Sequence, residues 1–154
     1  HPRIQKDFYK GQVRMETFAY AYENWERELC YNGDIFTKES YEKLLARFPK
    51  LESVMLGRGL LSDPYLMGRL RGEALPTEQE RRASLQDFHE QLIAEYGAVL
   101  SSDRDLLYKM KELWFYLLDS FEDSEKARKQ IRKCEKLSEY HCIVRELFEG
   151  HPLV

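Results

Sequence analysis

Two turns in this chain carry residue types that could hold an anion, and each follows a short apolar run. The first turn is Asn32-Gly33-Asp34-Ile35, and the second is Met55-Leu56-Gly57-Arg58-Gly59-Leu60-Leu61, which contains Gly57-Arg58-Gly59. Glycine lets backbone amides approach an anion without a Cβ in the way, and arginine supplies a fork of donors that suits phosphate. Alone, the first motif could be a plain turn and the second a loop with a surface arginine. Together, one βα unit apart, they predict a phosphate-binding site.

The elements that must position these turns alternate between helix and strand. Helical spacing covers Val13–Arg27 and resumes at Thr37, and short buried-strand patterns cover Glu28–Asn32 and Ser53–Leu56. Asp63-Pro64 has the form of a helix N-cap followed by proline. Strands that alternate with helices indicate parallel βα units, whose ligands bind beyond the carboxyl ends of the strands. If the apolar strands lie in an incomplete sheet, Leu29, Tyr31, Val54 and Leu56 would be exposed unless something covers them.

Beyond the Gly72–Pro76 segment the pattern is helical throughout. Thr77 and Glu80 form a capping box that opens a helix running to about Gly97. We expect its inward residues to be Phe88, Leu92, Ile93 and Tyr96. Three more helices are predicted at Asp103–Ser120, Ser124–Cys134 and Ser138–Phe148, the last closed by Gly150. Short loops favour an antiparallel bundle of about four helices, so the domains are predicted at residues 1–72 and 77–154.

Charge gives no general sign of a nucleic-acid-binding protein. The net charge is −3. Residues 1–76 carry 12 basic and 11 acidic side chains (+1), and residues 77–154 carry 12 and 16 (−4). One local basic cluster stands out, formed by Lys126, Arg128, Lys129, Arg132, Lys133 and Lys136. The spacing places Lys129, Arg132, Lys133 and Lys136 near one helix face. This cluster could contact phosphates, or it could be a solvated exterior balanced by Glu125 and Glu135.

The three cysteines, Cys30, Cys134 and Cys142, form no CxxC pair and are odd in number. They indicate neither a disulfide framework nor a metal site, which predicts a reducing, cytoplasmic location. We expect all three to be structural, because an unpaired cysteine usually behaves as a small buried hydrophobe. No apolar window approaches the ~18 residues of a membrane span, so no membrane partner is expected. Trp114, Phe115 and Tyr116 are expected to pack the helical core.

Several ordered motifs in the first 65 or so residues resemble the tRNA-dihydrouridine synthases. They are His1-Pro2-Arg3, Tyr9-Lys10-Gly11, Asn32-Gly33-Asp34-Ile35, Met55-Leu56-Gly57-Arg58-Gly59-Leu60-Leu61 and Asp63-Pro64. The resemblance implies an α/β plus all-α protein: the last two or three βα units of a (β/α)8 TIM barrel, followed by a C-terminal helical bundle. It also implies an oxidoreductase that binds FMN, uses NADPH as reductant and reduces uridine to dihydrouridine in tRNA.

The resemblance assigns roles to individual positions. His1 matches a residue that lies against the flavin, and the FMN phosphate end is held by residues matching Asn32, Gly33, Asp34, Gly57 and Arg58. Arg3 and Lys10 match positions near the rim that faces the substrate. The helical tail matches the domain that holds tRNA, with Lys129, Arg132, Lys133 and Lys136 as its candidate contacts.

The resemblance also implies what this chain lacks. The catalytic cysteine, which acts as general acid, belongs to a barrel loop before His1, so we expect this fragment to be inactive without the N-terminal half of the barrel. Open strand edges predict a homodimer formed by strand pairing or swapping. Two alternatives are a stand-alone helical interaction module on a small βα platform and another FMN- or phosphate-binding barrel. The Asn32-Gly33-Asp34 turn counts against dihydroorotate-dehydrogenase-like barrels, which usually carry Gly-Gly there.

Overall fold

The computed structural model describes residues 1–4, 6 and 11–154, and it divides into two compact units. The first unit comprises residues 1–60 and 64–73, and the second, called here the helical unit, comprises residues 61–63 and 74–154. Gln5, Asp7, Phe8, Tyr9 and Lys10 lie outside the described residues, and so does most of the predicted Tyr9-Lys10-Gly11 motif. What each predicted domain binds stays a prediction.

The first unit alternates helices with two short strands. Its elements are α1 (Met15–Asn24), β1 (Cys30–Tyr31), α2 (Lys38–Arg47), β2 (Ser53–Val54), α3 (Arg58–Ser62, whose last two residues belong to the helical unit) and α4 (Leu66–Arg71). The two strands pair in parallel, with Cys30 opposite Ser53 and Tyr31 opposite Val54. The predicted parallel βα arrangement of these strands is therefore confirmed, although each strand is shorter than its apolar run.

Aromatic side chains build the core beneath this sheet. Phe18 of α1 lies edge-on to Tyr31 at 4.9 Å and to Phe48 at 5.1 Å between ring centroids. Such edge-to-face pairs add favourable electrostatics to the burial of apolar area. Tyr31 is only 3% exposed, so it does not form part of an uncovered sheet face. The other residues expected there, Leu29, Val54 and Leu56, are half-buried.

The Asp63-Pro64 prediction was wrong about where a helix begins. The helix preceding it, α3, ends at Ser62, and residues 63–65 connect it to α4, whose N-cap is Tyr65. The first turn of α4 is closed by the Arg69 amide, which donates to the Tyr65 carbonyl at 3.1 Å. Asp63 lies two residues too early to cap α4, because this connection needs a turn of its own.

The helical unit contains α5 (Glu78–Val99), α6 (Asp103–Leu117), a 3-10 turn (Leu118–Ser120), α7 (Glu125–Lys133) and α8 (Leu137–Gly150). The predicted capping box is confirmed, since Thr77 and Glu80 exchange side-chain and backbone hydrogen bonds. The four predicted helices are present with small shifts of their ends. Gly150 is the last residue of α8 rather than a residue that stops it, and His151 is the C-cap.

Trp114, Met110 and Tyr140 have no exposed surface and form the centre of the helical unit. Two expectations about aromatic residues were wrong: Phe88 is 43% exposed and Phe115 is 65% exposed. Leu85 and His89 are the buried residues of α5 instead. The reason is helical phase, because Phe88 is rotated about 100° from His89 and lies beside the inward stripe.

The cysteines also depart from expectation. Cys134 is buried, but Cys30 and Cys142 are exposed. Position on a strand or helix did not decide burial, since each of the two exposed cysteines lies on the outward side of its element. Within the described part of the chain, no helix is both long and apolar enough to cross a membrane.

Candidate anion site in the first unit

A cleft of about 300 Å³ opens at the carboxyl ends of β1 and β2. We call it the Asp34 cleft. The residues that line it come from both predicted anion-binding turns and from the start of the chain: His1, Arg3, Asn32, Gly33, Asp34, Ile35, Phe36, Met55, Leu56, Gly57, Arg58 and Gly59. Every residue predicted to bind the cofactor is in this set. The structure thus brings the two turns together, as expected for neighbouring parallel strands.

Two guanidinium groups converge on the carboxylate of Asp34. Arg3 donates to both carboxylate oxygens, with the Nη1–Oδ1 distance at 3.1 Å, and Arg58 donates to Oδ1. Arg3 also donates through Nε to the Gly11 carbonyl at 2.7 Å. The side chain of Arg3 is 5% exposed and that of Arg58 is 22% exposed. Arg3 is therefore held rigidly, while Arg58 keeps access to the cleft.

The charge balance of the cleft favours an anion. Partial burial acts to raise the pKa of Asp34, but hydrogen bonds and charge from Arg3 and Arg58 outweigh it and hold that pKa below its usual value. Asp34 is therefore ionised at neutral pH. Two guanidinium cations and one carboxylate leave a net charge of +1 beside the two turns, and arginine presents donors in the geometry that phosphate accepts.

Two glycines are required by the closeness of neighbouring atoms. A Cβ atom on Gly33 would overlap the ring of Tyr31, and one on Gly59 would overlap the carbonyl oxygen of Ile35. A Cβ on Gly57 would meet no atom within 4 Å, so protein packing does not require glycine there. Burial, with the charge of Asp34, raises the pKa of Tyr31, whose hydroxyl lies 3.4 Å from the sulfur of Met15. Tyr31 thus forms a neutral support beneath the first turn.

Sequence reasoning missed Phe36 as part of the cleft, and it gave Met55 no role beyond its place in the second motif. Phe36 is 38% exposed, and its ring centroid lies 5.8 Å from the guanidinium carbon of Arg58. Met55 is 53% exposed and directly follows β2. The available signal was their position, since both are large apolar residues beside the predicted anion-binding turns. Apolar surface next to a cationic site suits a ligand with a flat ring and a charged end.

The basic cluster lies in the helical unit and is divided between two elements. Lys129, Arg132 and Lys133 belong to α7 and are exposed. Lys136 lies beyond the end of α7 as the N-cap of α8, with extended backbone, so the prediction that it shares one helix face was wrong. The predicted balance by Glu125 is confirmed for one member of the cluster, because Glu125 pairs with Arg128 at 3.2 Å.

The comparison with known families decides between the remaining interpretations of these motifs. The family model for dihydrouridine synthase (Dus) matches residues 1–149. The chain belongs to the dihydrouridine synthase family. A relative described as a probable tRNA-dihydrouridine synthase, from Rhizobium leguminosarum bv. phaseoli, is 26% identical over 117 residues. That alignment covers 76% of this chain and 35% of the relative, so the chain spans about a third of the relative's length.

The Asp34 cleft fits the phosphate end of FMN, the flavin expected in a dihydrouridine synthase. The fit rests on the donor set, because Arg58 and the side-chain amide of Asn32 line a cleft whose charge is positive overall. His1 is exposed and lines the same cleft. Arg3 lies under the cleft as the partner of Asp34, and Lys10 lies outside the described residues.

The cysteines provide no nucleophile or acid in the Asp34 cleft. Cys30 precedes Tyr31 in β1, and Cys134 and Cys142 lie in the helical unit. Burial raises the pKa of the Cys134 thiol, which disfavours its thiolate. Among the described residues, no three His, Cys, Asp or Glu side chains come together in a group able to hold a metal ion.

Proposed function

We propose that this chain is the C-terminal half of an FMN-dependent tRNA-dihydrouridine synthase. In this proposal residues 1–72 contribute the last βα units of a TIM barrel, and residues 77–154 form the tRNA-binding helical domain. The observation that carries it is the convergence of Arg3 and Arg58 on Asp34 at the carboxyl ends of two parallel strands, in a chain of the dihydrouridine synthase family. This is the end of parallel strands at which β/α barrels bind phosphate.

The proposed roles follow from the chemistry of each side chain. Arg58 and Asn32 bind the FMN phosphate end, and the Gly33 and Gly57 turns allow close approach of the backbone. Asp34 orients the two arginines rather than contacting phosphate, because two anions would repel each other. His1 lies against the flavin. Bound FMN, once reduced by NADPH, would supply a hydride to the uracil ring, and the general acid would supply the proton that completes the reduction.

The helical domain would hold tRNA through its exposed cations. Lys129, Arg132 and Lys133 on α7 and Lys136 on α8 are the proposed phosphate contacts, and each contact would add to a salt-dependent affinity. We also propose that the general-acid cysteine lies outside this chain, in the N-terminal half of the barrel. The chain alone should then form no dihydrouridine when it is incubated with tRNA, FMN and NADPH. A cytoplasmic location fits this proposed substrate.

Phosphorus NMR of FMN tests the proposed site directly. Addition of the chain should broaden and shift the phosphate resonance, with weak affinity because much of the flavin site is absent. Arg58→Gln should abolish this change, since it removes the cation that keeps access to the cleft. Arg47→Gln is the matched control, because Arg47 is an exposed arginine in the same unit that pairs with Glu16 at 2.6 Å.

Riboflavin separates phosphate binding from ring binding. It lacks the phosphate, so it should not compete with FMN for the chain. An unchanged FMN phosphate resonance at the highest soluble chain concentration would contradict the proposed site. So would an equal response from wild type and Arg58→Gln.

A further inference from the structure

The exposed side of α6 carries aromatic and basic side chains in alternation. Arg104, Tyr108, Lys111 and Phe115 are spaced by four, three and four residues, which places them along one stripe of the helix. We call this stripe the aromatic–basic face. Tyr108 is 57% exposed and Phe115 is 65% exposed. Single exposed aromatic residues are common on protein surfaces, so the feature that distinguishes this face is the set of cations around its rings.

The cations of this face lie against its first ring. The guanidinium carbon of Arg104 is 5.5 Å from the centroid of Tyr108, and the ammonium of Lys111 is 5.9 Å from the same centroid. These distances are within the range of cation–π attraction. At an exposed site each such contact contributes about 0.5–1 kcal/mol, so the two cations favour this orientation of the ring.

Helix α7 runs beside the aromatic–basic face and adds cations to it. The ammonium of Lys111 donates to the carbonyl of Arg132 at 3.3 Å and to that of Cys134. Near the other end of α7, Arg128 donates to the carbonyl of Phe115 at 2.9 Å. The two helices are therefore antiparallel along this edge.

Carboxylates near the aromatic–basic face form ion pairs with Lys109 and Arg128. Glu112 pairs with Lys109 at 2.9 Å, and Asp119 pairs with Arg128 at 2.6 Å. Within the part of the chain that the structure describes, no carboxylate pairs with Arg104, Lys111, Lys129 or Arg132. Glu135 lies close to the end of α7, with Lys136 directly after it and Lys133 two positions before it. The local charge is positive although the residues from 77 onward sum to −4.

We propose that the aromatic–basic face binds an unpaired segment of RNA. Tyr108 and Phe115 stack on two bases, while Arg104, Lys129 and Arg132 neutralise phosphates. Aromatic platforms flanked by cations are the means by which proteins hold single strands, whose bases are open to stacking. A rigid duplex hides its base faces and would use the cations alone. The inference rests on the proposed tRNA substrate and specifies how the helical unit would contact its unpaired parts.

The spacing of the two rings supports a single strand over an apolar protein partner. They are seven positions apart in sequence, so they lie two turns apart, roughly 10 Å along the helix axis. A protein partner would need a continuous apolar patch, but Lys111 lies between the rings. Two rings that are separated along one helix offer two separate stacking surfaces for the bases of an unpaired strand.

Fluorescence anisotropy with two labelled RNAs tests the proposal on the whole chain. The probes are an oligouridylate of about a dozen nucleotides, within the site sizes of single-strand binders, and a blunt RNA duplex of equal length. The double variant Tyr108→Leu with Phe115→Leu keeps apolar bulk but removes the stacking faces. It should weaken oligouridylate binding by about tenfold or more per ring and leave duplex binding nearly unchanged.

The charge variants should behave differently. Lys129→Gln and Arg132→Gln should each weaken the binding of both RNAs. Each should also reduce the slope of log K against the logarithm of salt concentration by about one, the loss of one phosphate contact. Phe88→Leu is the control for the rings, because Phe88 is an exposed aromatic of the same unit on another helix. Arg145→Gln on α8 is the control for charge. The rings are exposed, so folding should survive, and circular dichroism checks it.

Three outcomes would overturn the proposal. The first is the absence of oligouridylate binding by the wild-type chain. The second is unchanged oligouridylate binding by the double variant, and the third is an equal loss of affinity for oligouridylate and duplex in that variant. The FMN experiment does not involve α6, so failure of the two proposals can be told apart. If the chain binds FMN but no single-stranded RNA, this inference alone is contradicted. If it binds single-stranded RNA but no FMN, the FMN site is contradicted and this inference is not.

Discussion

At the scale of residues, a buried ring network in the helical unit depends on one neutral histidine. Trp114 donates to the hydroxyl oxygen of Tyr140, whose hydroxyl is then available to donate to Nε2 of His89, and both donor–acceptor distances are 2.5 Å. This arrangement needs an unprotonated Nε2 on His89. Burial, with a smaller effect from the charge of His141, lowers the pKa of His89 to about 4. The hydrogen bonds need a neutral His89, and its lowered pKa keeps it neutral at pH 7.

Acid should therefore weaken the helical unit through His89. The folded-state pKa of about 4 is below the ordinary value of 6.5, so the unfolded chain takes up the proton first as pH falls. The contribution of neutral His89 to the free energy of unfolding is fully present above pH 6.5 and is lost as pH falls towards 4. The whole shift corresponds to about 3 kcal/mol in the free energy of unfolding. Urea unfolding at a series of pH values measures it.

Two variants isolate the contribution of this histidine. His89→Gln cannot take up the proton, so its stability should be lower at neutral pH but flatter between pH 6.5 and 4. His141→Gln, on the exposed side of α8, should keep the wild-type slope. The same slope in wild type and His89→Gln would show that other groups cause the acid sensitivity.

At the scale of elements, α5 depends strongly on how it begins. Only Leu85 and His89 are fully buried along its 22 residues, so packing anchors the helix at few points. Thr77 accepts a hydrogen bond from the Glu80 amide, and the Glu80 carboxylate accepts one from the Thr77 amide at 2.8 Å. Both bonds satisfy amides that a helix leaves without partners at its start.

Loss of this cap should be measurable. Thr77→Ala should lower the free energy of unfolding of the helical unit by about 1 kcal/mol. Ser84→Ala, at an exposed position within the same helix, should leave it equal or slightly higher, because alanine is the better helix former. Urea unfolding followed by the fluorescence of Trp114, in a Trp25→Phe background, checks both. Equal stabilities of the two variants would contradict a role for the cap.

At the scale of the whole molecule, the two-stranded sheet leaves one edge of each strand without a partner strand among the described residues. Cys30 and Ser53 are exposed at these strands. Exposed edges of this kind recruit further strands, from the remainder of a barrel or from a second copy. The proposed homodimer is thus a consequence of the same sheet that forms the Asp34 cleft.

Light scattering under reducing conditions tests the dimer. The wild-type chain should show twice its 18.4 kDa mass. Cys30→Lys should shift it towards monomer, because a charge on an edge strand disfavours pairing. Cys142→Lys changes another exposed cysteine, in the helical unit, and should leave the mass unchanged. A monomer at every concentration would contradict strand pairing and favour the stand-alone helical module.

By itself, the sequence determined the features that depend on local contacts. The helix types and the capping box at Thr77 depend on residues a few positions apart. The parallel order of the strands was indicated by the alternation of helical and strand patterns along the chain. The motifs Asn32-Gly33-Asp34 and Gly57-Arg58-Gly59 also indicated the family correctly. Local propensity and hydrophobic period carry this information directly.

Only the tertiary structure decided which distant side chains meet and which are covered. Arg3 and Asp34 are 31 residues apart, so no local pattern could reveal their ion pair. Likewise, His89 is buried because Tyr140 and Trp114 meet it from other helices, while Phe115 of an apolar run stays exposed. Burial and ion pairing depend on which elements pack together, and periodicity describes one face of one element at a time.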